Sequence, residues 1–67
     1  MIEVLVNGQA RQVAEGQTIL GLLLELELAP ERVAVELDRR IVKQPSWSET
    51  VLQAGAQLEI VQFVGGG

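Results

Sequence analysis

The sequence predicts an α+β roll, a mixed sheet covered on one face by a single main helix. Two observations carry that expectation. Apolar residues recur at period two in "IEVLV", "RVAVEL" and "QLEIVQFV", and only "ILGLLLELEL" repeats them at helical spacing. A helix stripe and a sheet face each need a second layer to bury them, so one helix and several strands belong in one two-layer body.

The first element is a β-hairpin. Ile2, Val4 and Val6 alternate with Glu3 and Leu5, and Asn7-Gly8 suits a type I′ turn with positive φ at both positions. "AEGQT" then breaks the pattern, with Gly16 as turn residue and Thr18 as helix N-cap. Ile19, Leu22, Leu23 and Leu26 form the helix stripe, and Pro30 stops the helix at or before Ala29. Val33, Val35 and Leu37 share a strand face, and Asp38-Arg39-Arg40 turns into a short strand at Ile41-Val42. "QPSWSETVLQAG" reads as a compact loop with a helical turn, closed by Gly55, in which Trp47 lids one end of the core. "QLEIVQFV" is the last strand. The order β-β-α-β-β-β is satisfied by placing the first and last strands side by side and parallel at the centre, which is the β-grasp, ubiquitin-like topology. The sequence divides into a body over residues 1–63 and a flexible tail over 64–67.

Size and composition narrow the function. At 67 residues the chain is near the lower limit for a domain without disulfides or metal, and cysteine and histidine are both absent. Net stability on the order of 3–10 kcal/mol is expected. The net charge of −4 argues against nucleic acid, the longest apolar stretch is too short and too charged to span a membrane, and no signal peptide precedes "IEVLV". A cytoplasmic protein is expected. No histidine base, cysteine nucleophile or phosphate-binding glycine loop accompanies the glutamates, so the chain is not expected to be an enzyme on its own.

Two features do point to function. Alternation puts Leu5, Val61 and Phe63 on the sheet face that the helix leaves open, a candidate docking patch. The second is "VGGG", in which the last strand runs directly into Gly65, Gly66 and Gly67. These residues add nothing to a core, but an extended segment from Val64 to Gly67 reaches about 13 Å and fits a channel only as wide as a backbone. The carboxylate of Gly67 is a poor electrophile until it is activated, for example as an acyl-adenylate that a partner's sulfur or amine nucleophile can attack.

Taken together, "VNG", "EGQTI", "LAPERVAVELD", "IV…W" and "LEIVQFVGGG" resemble the ThiS family of sulfur carriers in thiamine biosynthesis, over essentially the whole chain. The resemblance implies a β-grasp fold and a cycle run by partners. A ThiF-type, E1-like enzyme would adenylate Gly67 with Mg-ATP. A sulfur donor such as a cysteine desulfurase would convert the adenylate to a thiocarboxylate. Thiazole synthase, ThiG, would accept the sulfur. No cofactor is expected on the carrier itself. Gly66 and Gly67 match the family's terminal pair, whereas "DRR" at Asp38 to Arg40 departs from a frequent Asn-Gly turn, and "KQPSW" departs from a proline directly after "IV". A MoaD-type small subunit of molybdopterin synthase and a ubiquitin-like covalent modifier share the fold and tail. The single lysine, Lys43, leaves the modifier few sites for chain building.

Overall fold

The computed structural model describes residues 1–64. The elements are β1 (Ile2–Val6), β2 (Gln9–Val13), α1 (Ile19–Glu25), β3 (Val33–Leu37), β4 (Arg40–Val42) and β5 (Gln57–Gln62), with short 3-10 turns at Pro30–Arg32 and Gln44–Ser46. One sheet has the order β2-β1-β5-β3-β4. β1 and β5 run parallel, with Leu5 opposite Gln57 and Val6 opposite Leu58, while every other neighbouring pair is antiparallel. This is the β-grasp arrangement, with the first and last strands adjacent inside the sheet.

Local chemistry explains the elements. Both hairpins turn through two residues with positive φ, Asn7 (51°) and Gly8 (84°) in the first, Asp38 (51°) and Arg39 (71°) in the second. These are the signs that a type I′ turn requires, and they match the twist of the flanking strands. The second hairpin achieves this without glycine. Thr18 caps α1 as expected, its Oγ1 accepting from the Gly21 N–H at 3.0 Å.

The C-terminus of α1 falls before Ala29, as expected, but Pro30 is not what ends it. The helix stops at Glu25, four residues short of Ala29. Glu27 takes φ 59°, its N–H bonds the Leu24 carbonyl at 3.0 Å, and the Leu28 N–H bonds the Leu23 carbonyl at 2.9 Å. That pair of bonds is a Schellman motif, which satisfies the end carbonyls and turns Leu28 back onto the core. The stop is thus made by a left-handed glutamate, and Pro30 only starts the following 3-10 turn.

The core is hydrophobic throughout, with no buried polar or charged side chain among the described residues. Ile19, Leu22 and Leu23 of α1 meet Val4, Val35 and Leu58 of the sheet. Trp47 is buried with them, and its Nε1–H donates to the Val42 carbonyl at 2.7 Å. Its loop is tied to the start of α1 by Ile19 N–H to Thr50 O, Leu20 N–H to Trp47 O and Leu52 N–H to Gln17 O. Leu20 and Leu28 pack at the margin of this core, whereas Leu24 is exposed.

Candidate functional site

The site is built around the end of β5. Within that strand Leu58 and Ile60 are buried, so alternation turns Gln57, Glu59 and Val61 to the uncovered face. Val61 and Phe63 are 59% and 55% exposed, and Val64 is 92% exposed. These are large values for apolar residues leaving the middle of a sheet. The backbone bonds alternate in the same way. Leu58 and Ile60 turn their polar groups toward β1, while the Phe63 N–H points the other way and bonds the Arg32 carbonyl at 2.8 Å. Gly65, Gly66 and Gly67, the residues on which the expected chemistry rests, lie outside the described residues.

The register redraws the docking patch. Leu5 shares the open face but sits opposite Gln57, four positions from Val61 along β5, or roughly 13 Å at the rise of a strand. It is also half-buried. The expected cluster of Leu5, Val61 and Phe63 is therefore not contiguous. Other residues take the place of Leu5. Ala34 lies directly across from Val61, and Ile41, 75% exposed, lies across from Glu36, diagonal to Ala34. Phe63 and Ile41 border an open depression with Pro30, Ala34 and Lys43 at the margin of β3. Ile41 could have been found by carrying the alternation through β4, where Val42 packs on the core and its neighbour must face out.

Charge on this face is also ordered. Glu36 and Glu59 are direct cross-strand partners, both exposed, with Val61 and Ala34 as the next pair toward the tail on that face. Like charges in that position destabilise a sheet. The open face thus carries an acidic pair beside an apolar strip, and the strip adjoins the residue from which the glycines start.

A β-grasp body with an apolar open face, whose central strand leads into a glycine run, defines the class of small ubiquitin-like carriers and modifiers. The chain belongs to the ThiS family, whose model matches residues 4–67 and so takes in the glycine run. It is 33% identical over 66 residues to the sulfur carrier protein ThiS of Escherichia coli, covering 98% of this chain and all of that one. It is 43% identical over 61 residues to a thiazole synthase of Magnetococcus marinus, covering 91% of this chain. A second thiazole synthase, from Paramagnetospirillum magneticum, is 36% identical over 66 residues. The chain spans about a fifth of the length of these two synthases, 19% and 20%. Among solved structures, the crystal structure of the thiamine biosynthesis protein ThiS from Geobacter metallireducens superposes with a TM-score of 0.83 at 32% identity, covering 98% of this chain and all of that one.

Proposed function

We propose that this protein is a sulfur carrier of thiamine biosynthesis, acting in the cytoplasm as a co-substrate of partner enzymes. The observation that carries the reading is the end-to-end match to a ThiS carrier, with the glycine run inside the matched region. In this proposal residues 1–63 are the body that partners grip, and 64–67 the arm they act on.

The chemistry follows from the carboxylate of Gly67. One of its oxygens attacks the α-phosphorus of Mg-ATP in a ThiF-type enzyme, and pyrophosphate leaves. A sulfur nucleophile, drawn from cysteine through a desulfurase or related donor, attacks the acyl carbon and expels AMP. The attacking atom is the outer sulfur of a donor persulfide, so the product is an acyl disulfide. A second thiol then attacks the donor's sulfur, a disulfide forms there, and the thiocarboxylate of Gly67 leaves to deliver its sulfur to the forming thiazole. The absence of side chains at Gly65 and Gly66 lets a narrow channel close around the backbone. Thiazole synthase is the proposed acceptor, and two thiazole synthases that contain a segment similar to this chain support that pairing.

The test is the intact mass of the untagged protein from cells making thiamine. A fraction heavier by the difference between sulfur and oxygen, located in the C-terminal peptide, is expected. Unmodified carboxylate alone, even after incubation with ATP, an adenylating enzyme and a sulfur source, overturns the reading. Deleting Gly66 and Gly67 should abolish ATP–pyrophosphate exchange and leave the circular dichroism unchanged.

A further inference from the structure

The type I′ turn explains why an asparagine is tolerated at position 7, but not what its carboxamide does. A turn of this type needs positive φ at its first position, and glycine would serve as well. The parallel ladder between β1 and β5 runs from Leu5 N–H to Ala56 O at 2.8 Å to Asn7 N–H to Leu58 O at 2.8 Å. The chain then turns away through Gly8, so no β1 residue is left to meet Ile60. The Asn7 side chain meets it instead. Its Nδ2–H donates to the Ile60 carbonyl at 3.2 Å, and its Oδ1 accepts from the Ile60 N–H at 2.7 Å. A carboxamide presents the same donor and acceptor as a strand residue, so Asn7 adds one more rung after its own strand has ended.

We propose that Asn7 is a positioning residue for the glycine arm. Its carboxamide carries the hold on β5 from Leu58 to Ile60, three residues from Phe63, and thereby sets the line along which the strand leaves the body. On the other flank, the bond from Phe63 N–H to Arg32 O completes the grip. Held from both sides, β5 leaves the sheet at Phe63 in a fixed direction, so in this proposal less is lost in ordering the segment that a partner takes up. This inference rests on the carrier reading above.

Asn7→Gly is the clean variant, because Gly-Gly suits a type I′ turn and only the carboxamide is lost. Asn7→Asp keeps tolerance of positive φ and the acceptor for Ile60 N–H, but sets a carboxylate oxygen against the Ile60 carbonyl oxygen. Amide hydrogen exchange is compared at Ile60 and at Val61, whose N–H points to β3. Loss of overall stability moves both together, whereas loss of the rung moves Ile60 alone. In Asn7→Gly we expect the Ile60-to-Val61 ratio of exchange rates to rise at least tenfold. We also expect kcat/KM for the adenylating enzyme, read by ATP–pyrophosphate exchange, to fall at least threefold where both proteins are fully folded. Asn7→Asp should fall between Gly and wild type in the Ile60 ratio. An unchanged ratio in Asn7→Gly overturns the proposal, and so does a raised ratio with unchanged kcat/KM. If the wild-type protein itself supports no exchange, the carrier reading fails instead. Residual dipolar couplings at Gln62 to Val64 then decide, and unchanged couplings in Asn7→Gly overturn the positioning role.

Discussion

Arg39 illustrates how much a single residue can be asked to tolerate. Its φ of 71° is one that a side chain with a Cβ adopts at a cost, about 1–2 kcal/mol per residue in the left-handed region. Asp38 beside it is better suited, since its Oδ1 accepts from the Gln57 N–H at 3.0 Å while its own N–H bonds the Gln57 carbonyl at 2.8 Å. Arg39 has no such bond, and the turn it occupies is exposed. Arg39→Gly should therefore raise stability by about 1 kcal/mol, after allowing for the extra freedom glycine gains in the unfolded chain. An increased urea midpoint at unchanged slope is the expected result. Gly21 is the opposite case, a glycine inside a helix where no left-handed conformation calls for one, and its reason lies in a neighbour. A Cβ there would collide with the Gln17 carboxamide, which lies along the helix start, accepts from Thr18 N–H at 3.1 Å and donates to Glu25. Gly21→Ala should change stability by less than about 0.5 kcal/mol, the gain of about 1 kcal/mol in helix propensity being offset by loss of the two Gln17 hydrogen bonds, one exposed and one half-buried. Gln17→Ala should then cost stability in the wild type and nothing when combined with Gly21→Ala, a coupling that a double-mutant cycle reads directly.

At the scale of elements, the opposed Glu36 and Glu59 make a test of the β3–β5 pairing. Replacing Glu59 by Gln removes the like-charge contact without changing shape, so stability should rise by about 0.5 kcal/mol at low salt and by less at high salt. The same elements show what a sequence can and cannot disclose. The Asn7-Gly8 hairpin, the Thr18 cap and the parallel neighbours β1 and β5 follow from local chemistry and from the need to bury one helix, and all are present. That α1 ends before Ala29 was legible from Pro30, but its stop at Glu25 was not, because glutamate gives no signal for the left-handed position that Glu27 takes. Alternation assigned Leu5 to the correct face. It could not assign its distance from Val61, since register between strands far apart in the chain is settled only when they meet. Ile41 was legible in principle, since Val42 packs on the core and its neighbour must face out, but its place beside Val61 again depends on register, here of β4 on β3 and of β3 on β5.

For the whole molecule, the face redrawn by the register makes a prediction about partners. Under the proposed carrier function, Phe63→Glu and Ile41→Glu should each weaken binding to an adenylating enzyme or to thiazole synthase at least tenfold by calorimetry, with little change in urea midpoint. Leu5→Glu should weaken it less, being farther from the arm. Equal losses at all three positions would remove the strip around Val61 as the gripping surface.

The central place of β5 bears on how the protein is made. Asn7 and Ile60 bond across 53 positions of sequence, and Leu58 and Ile60 fill the middle of the core. Closure of so long a loop must precede the contacts that reward it. During synthesis the first hairpin and α1 emerge early, yet the surface they need arrives with the final strand. A nascent chain interrupted before Gln57 should show no cooperative unfolding transition, and in a cell it would be left to proteases. Folding to completion thus reports that translation has reached the residues that lead into the arm, so the pool of compact molecules excludes those interrupted before that strand.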